Sequence, residues 1–67
     1  MNTLLRYEVW ESDNGEPSHW KLARGGVWES REAAIKFAKK RRQVCQAVNV
    51  ERWNAGTNTF LATEWES

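Results

Sequence analysis

The sequence has very little of the residues that usually anchor chemistry. It contains one cysteine, Cys45, which has no partner for an internal disulfide, and one histidine, His19. A metal site needs three or four ligands, and neither residue has the neighbours to form one. Cys45 also lacks a positioned base, so it is a poor candidate nucleophile. We therefore expect no metal, no cofactor and no enzymatic activity.

Long apolar runs and a charge excess are also missing. No stretch approaches the roughly 18 apolar residues of a membrane span, and the start of the chain does not resemble a signal peptide. We expect a cytoplasmic protein in a reducing compartment, without membrane contact. Ten Lys and Arg against nine Asp and Glu give a net charge of +1. This balance argues against a DNA mimic and against binding of nucleic acid by bulk charge alone.

What the chain does have is five tryptophans in 67 residues. A chain of this length forms one domain, residues 1–67, with a small core. An indole ring is large and carries one polar N–H group, so it usually packs against something and finds a hydrogen-bond acceptor. The location of these rings is therefore the main question that the sequence raises.

Patterns along the chain predict four strands and one helix. Apolar alternation bounded by Gly, Asn and Pro turn residues predicts the strands, and the helix has a serine cap and no internal Gly or Pro. The predicted strands are residues 4–11, 19–24, 47–53 and 59–65, and the predicted helix is 31–45. This order predicts an α+β fold, ββαββ, with a four-stranded antiparallel sheet and one helix packed on one face.

Alternation along the strands divides their residues between the two faces of the sheet. The residues predicted to face the helix are Leu5, Tyr7, Val9, Trp20, Leu22, Val48 and Val50. Trp10 and Trp53 then lie on the opposite face. The strand 59–65 turns either Phe60 and Ala62 or Leu61 and Trp65 toward the helix, so either Trp65 or Phe60 joins them. Their predicted neighbours there are Arg6, Glu8, Lys21, Asn49 and Glu51.

Large aromatic rings among mixed charges, on a face that no helix covers, are typical of an interface with a polar rim. We therefore predict a partner-binding surface, formed by Trp10, Trp53, Arg6, Glu8, Lys21 and Glu51. The alternative is that the rings cover one another as cross-strand pairs and serve only to stabilise a thin sheet.

The helix pattern provides a second candidate surface. Ala34, Ala38, Arg41 and Cys45 fall on one stripe that is predicted to face the sheet, with Arg41 at its edge. The run KKRR at positions 39–42 is the one cluster of like charge in the sequence. A phosphate-contacting helix would use Lys36, Lys39, Lys40 and Arg42, whereas an ordinary solvated helix face would look the same in sequence.

Two predicted strands lead into WESREAAIKFAKK, and the hairpin AVNVERWNAGTNTFLA follows. In this pattern the whole chain resembles the compact ββαββ proteins that bacteriophages and other mobile elements encode. Small anti-CRISPR inhibitors of type I surveillance complexes belong to this group. The opening of the helix, SREAA, is also similar to that of small bacterial domains of unknown function. The phage resemblance implies a stoichiometric inhibitor that occupies a host protein complex, in the host bacterial cytoplasm, without performing chemistry.

Three hypotheses follow from these patterns. The first is a non-enzymatic protein-binding module that docks on a host defence or nucleic-acid-handling complex through the aromatic face. The second is a small nucleic-acid-binding protein, in which bases stack on the sheet aromatics and the helix lysines contact phosphates. The third is a homodimer that uses the aromatic face or an edge strand and leaves its function elsewhere.

Overall fold

The computed structural model describes residues 4–14 and 16–67, with only the backbone of Pro17. Strand β1 (Leu5–Ser12) is followed by a 3-10 helix (Pro17–His19), strand β2 (Lys21–Trp28), helix α1 (Arg31–Arg41), strand β3 (Ala47–Asn54) and strand β4 (Thr59–Glu66). All four strands form one antiparallel sheet in the order β2-β1-β3-β4. The predicted α+β fold with the order ββαββ is confirmed.

Helix α1 begins where its serine cap predicts. The Ser30 hydroxyl accepts a hydrogen bond from the backbone N–H of Ala33 at 3.3 Å, and Glu32 lies in the first turn, where it complements the helix dipole. The helix ends at Arg41, four residues earlier than predicted. Cys45 therefore belongs to the turn after the helix, although it is buried as expected.

The core lies between α1 and one face of the sheet. Val9, Val48 and Val50 are fully buried there, and Ala34 and Ala38 of the helix are also at zero exposure. Small alanine side chains let the helix axis approach the strands closely, so that the helix packs across β1, β3 and β2. No helix among residues 4–14 and 16–67 is long and apolar enough to cross a membrane.

Strand β2 differs most from its prediction, because it does not end at Gly25–Gly26. Four residues, 23–26, lie between the pairs Trp10–Leu22 and Glu8–Val27, whereas β1 has only Val9 there. This bulge lets β2 continue to Trp28. Gly25 adopts a φ of 72°, which glycine reaches without strain. Part of the predicted first turn falls on residue 15, outside the described residues.

The pairing of strand β4 with β3 contains two irregularities, and they determine which side chains of β4 face the helix. Trp65 pairs with Val50 and Ala62 pairs with Arg52 on the helix side, whereas Phe60 pairs with Trp53 on the other side. Neither regular alternation predicted for this strand is therefore correct. Phe60, and not Trp65, joins Trp10 and Trp53 on the uncovered face.

Candidate functional site

The sheet face opposite α1 is here called the outer face. The pairings across the sheet put three rows of side chains on it, and no helix in the described part of the chain covers them. Trp10 and Trp53 are half-buried. The outer face consists of Arg6, Glu8, Trp10, Leu22, Val27, Asn49, Glu51, Trp53, Phe60, Thr63 and Glu66.

Two Glu-x-Trp units occupy the centre of the outer face, one on each central strand. The indole Nε1–H of Trp10 donates to Glu8 Oε1 at 3.0 Å, and that of Trp53 donates to Glu51 Oε1 at 3.1 Å. Residues two apart on a strand point to the same face, which is why each carboxylate reaches the indole that follows it. Each ring is thereby held in one orientation through its polar edge.

Arg6 connects the two central strands at one end of the outer face. Its Nε donates to Glu8 Oε2 at 2.6 Å, and its guanidinium lies 5.0 Å from the ring centroid of Trp53. This separation is within the range of a cation–π contact. A further N–H of Arg6 donates to the side-chain oxygen of Asn58 in the turn before β4. The Arg6 guanidinium therefore already contacts three side chains of its own chain.

Apolar side chains at the margins of the outer face remain partly exposed to solvent. Phe60 packs edge-on against Trp53, with ring centroids 5.7 Å apart and an interplanar angle of 73°, yet 46% of Phe60 remains exposed. On the β2 side, Leu22 is 40% exposed and Val27 is 54% exposed. Ring contact within the sheet thus covers only part of the apolar area.

Five of the six residues predicted for the partner surface lie on the outer face, namely Arg6, Glu8, Trp10, Glu51 and Trp53. Lys21 does not, because it pairs with Glu11, whose side chain contacts the helix. Its neighbour Leu22 pairs with Trp10 on the outer face, although it was predicted to face the helix. The alternation predicted for the start of β2 has the correct period, but it assigns Lys21 and Leu22 to the wrong faces of the sheet.

The basic residues predicted for phosphate contact lie on the helix side of the sheet. Lys36, Lys39, Lys40 and Arg42 are all exposed, and Arg42 also donates to the carbonyl of Cys45 at 3.1 Å. They are separated from Trp10 and Trp53 by the full thickness of the sheet. One nucleic-acid strand cannot contact both groups unless it passes around an edge.

An open cleft lies beside the helix at the β2 edge of the sheet. Its volume is about 300 Å³, and Trp28, Ala33, Lys36, Phe37 and Lys40 line it. The rings of Trp28 and Phe37 are 5.6 Å apart between centroids. The buried Nε1–H of Trp28 has no acceptor among the described residues.

Sequence reasoning missed a polar cluster on the helix side. Arg41 makes two hydrogen bonds to the buried carboxylate of Glu11, at 2.8 and 2.7 Å. The thiol of Cys45 donates to the same carboxylate at 3.1 Å. The hydrogen bonds from Arg41 hold the pKa of Glu11 below its usual value despite burial. Glu11 and Arg41 are 30 residues apart, so no local pattern connects them.

Cys45 is expected to react slowly with thiol reagents in the folded protein. The residue is 5% exposed, and burial, assisted by its hydrogen bond to Glu11, raises the pKa of the thiol. Since the thiolate is the reactive form, alkylation at pH 7.5 should be at least about tenfold slower than in the urea-unfolded chain. Mass spectrometry against time measures this ratio, and equal rates would contradict the buried position.

The comparisons with known proteins add no constraint to this site. No protein-family model, curated protein or solved structure matches the chain. Within residues 4–14 and 16–67, no three His, Cys, Asp or Glu side chains are grouped so that they could hold a metal ion.

Proposed function

We propose that this chain is a small non-enzymatic protein-binding module that docks on its partner through the outer face. The observation that carries the proposal is the fixed, half-buried pair of indoles, Trp10 and Trp53, on a sheet face that no helix within residues 4–14 and 16–67 covers. A side chain already held in its bound orientation loses little entropy on association. Large aromatic anchors of this kind dominate the energetics of many protein interfaces.

The apolar margins of the outer face support a protein partner. Exposed Leu22, Val27 and Phe60 extend the apolar area beyond the two indoles, while charged and polar side chains lie between them. This mixture is typical of protein interfaces, in which aromatic anchors are surrounded by polar contacts that exclude water. The resemblance to phage ββαββ proteins suggests a host protein complex as the partner, with this chain as an inhibitor.

A nucleic acid suits the outer face less well. Among the residues that the strand pairings place on this face, the carboxylates of Glu8, Glu51 and Glu66 outnumber the guanidinium of Arg6, and an acidic surface repels phosphates. The four cations of the alternative hypothesis lie on the other side of the sheet. We therefore prefer a protein partner to a single-stranded nucleic acid.

The double variant Trp10→Ala, Trp53→Ala tests the proposal. We expect it to capture at least about tenfold less of its partner than the parent, because two aromatic anchors are lost together. The measurement is a quantitative pull-down from nuclease-treated bacterial lysate with tagged protein, and circular dichroism verifies that the variant remains folded.

A matched double variant on the helix side provides the control. Lys36→Ala, Lys40→Ala changes two exposed residues outside the outer face, so it should capture the partner as the parent does. Undiminished capture by the tryptophan variant would overturn the proposal. Sedimentation at several concentrations tests the homodimer hypothesis, because a dimer through the outer face would dissociate in the tryptophan variant and not in the lysine variant.

A further inference from the structure

The centre of the outer face contains two acidic side chains in direct opposition. Glu8 of β1 and Glu51 of β3 are paired residues on the two central strands, so both carboxylates project from the same side of the sheet. Like charges directly opposite each other destabilise an antiparallel pair. The two indole hydrogen bonds and the ion pair of Glu8 with Arg6 offset part of this cost within the fold. No cation among the described residues forms an ion pair with Glu51.

Hydrogen bonding distinguishes the two carboxylates. Glu8 is occupied at both oxygens, because Arg6 donates to Oε2 at 2.6 Å and Trp10 donates to Oε1 at 3.0 Å. Glu51 accepts only the indole N–H of Trp53, at Oε1. Its Oε2 has no donor among the described residues. Glu51 is also half-buried, whereas Glu8 is buried. Glu51 is thus the carboxylate that remains available to a partner.

The surroundings of Glu51 favour a cation. Among the residues that the strand pairings place on the outer face, there is one guanidinium and there are three carboxylates. Trp53 follows Glu51 by two residues on β3, and the diagonal neighbours of Glu51 on β1 are Trp10 and Arg6. Such neighbours have Cβ atoms roughly 7–8 Å apart. The guanidinium of Arg6 is already hydrogen-bonded to other side chains. A planar guanidinium stacks on indole rings and binds a carboxylate through two N–H groups at once.

We propose that Glu51 binds an arginine side chain of the protein partner, whose guanidinium donates to the carboxylate and stacks against the indoles of Trp53 and Trp10. This inference rests on the proposed function and names the chemistry of the partner at its centre. The same protein already shows this chemistry internally, since Arg6 both binds Glu8 and lies over Trp53. The partner's arginine satisfies the carboxylate that the fold leaves open.

The test uses a triarginine peptide and the indole N–H signals of ¹⁵N-labelled protein. Trp10 and Trp53 donate to Glu8 and Glu51, so their Nε1–H resonances report directly on the two carboxylates. We expect saturable shifts of both signals with triarginine and none with triglutamate. Glu51→Gln should weaken the apparent affinity about three- to tenfold, the effect of losing one partly exposed charge-assisted hydrogen bond.

Glu32→Gln is the matched control, because it removes one exposed carboxylate from helix α1, on the opposite side of the sheet. It should alter the affinity for triarginine by less than about twofold. Glu51→Gln should also keep or raise the thermal midpoint, since it relieves the opposition to Glu8. Equal weakening by both variants, or unmoved indole signals in the parent, would overturn the arginine site. Those outcomes are distinct from failure of the tryptophan variant to lose its partner, which would overturn the docking face itself.

Discussion

Arg41→Met is expected to lower the free energy of unfolding by about 2–4 kcal/mol at pH 7. The substitution keeps the apolar stem and the helix propensity but removes both hydrogen bonds to Glu11, which is only 3% exposed. Loss of one partner of a buried ion pair costs about 3–5 kcal/mol, because the remaining charge is uncompensated. Because the Arg41 side chain is 38% exposed, the expected cost of losing this ion pair lies somewhat below that range. Urea denaturation followed by tryptophan fluorescence measures the change.

The pH dependence identifies the ion pair as the cause. The folded-state pKa of Glu11 lies below its ordinary value, chiefly through the hydrogen bonds from Arg41. The stabilisation is therefore fully present above the unfolded pKa of about 4.3 and is lost as the pH falls through the lower folded pKa. The difference between parent and variant should shrink at pH 3. Lys39→Met, an exposed change on the same helix, should cost no more than about 0.5 kcal/mol. An equal difference in unfolding free energy between the parent and Arg41→Met at pH 7 and at pH 3 would contradict the ion pair as its cause.

The order of the elements could be predicted because each boundary has a local physical cause. Ser30 caps the helix, Gly56 lies in the turn between β3 and β4, and alternation in β1 puts Tyr7 and Val9 toward the core. The positions of Trp10 and Trp53 follow from the same alternation in strands that run without a bulge against each other. These local signals were enough to place five of the six proposed contact residues on the outer face.

The parts of the fold and of the site that could not be predicted depend on features that hydrophobic alternation does not encode. In β2, Lys21 and Leu22 precede the bulge, and their faces are exchanged because no local signal shows which side the strand presents to the helix. In β4, the irregularities put both Ala62 and Trp65 on the helix side, which no regular alternation does. The pairing of Glu11 with Arg41 depends on how the helix lies across the sheet. The two indole hydrogen bonds did have a signal, because EVW and ERW repeat the same Glu-x-Trp spacing.

Overall neutrality conceals an uneven distribution of charge. The chain has a net charge of +1, yet its outer face has an acidic excess, while the helix side carries the cluster Lys36, Lys39, Lys40 and Arg42. A basic partner would be attracted to the outer face and repelled by the helix side. For the proposed protein partner, this polarity would favour an approach to the outer face, which is the usual effect of complementary charge on association.

Gly26→Ala is expected to destabilise the protein by about 2–3 kcal/mol, because the bulge in β2 leaves no room for a side chain there. A Cβ atom at Gly26 would lie 2.8 Å from the carbonyl oxygen of Ala23 and 3.0 Å from that of Val9. Both are backbone atoms of paired strands, so they cannot move without disturbing the ladder. The bulge also brings Leu22 and Val27 to the same face, although they are five residues apart.

Two other glycines provide matched controls for this prediction. At Gly25 the added methyl group meets open space, but the φ of 72° is unfavourable for alanine and should cost about 1 kcal/mol. At Gly56 the nearest atom is the side-chain oxygen of Asn54 at 3.3 Å, which can shift, so the cost should be smaller still. Urea denaturation should therefore rank the variants Gly26→Ala, Gly25→Ala, Gly56→Ala in decreasing damage. Equal stability of Gly26→Ala and Gly56→Ala would mean that β1 and β2 are not in the register that places Leu22 and Val27 beside Trp10 and Glu8. Leu22 and Val27 would then not belong to the outer face.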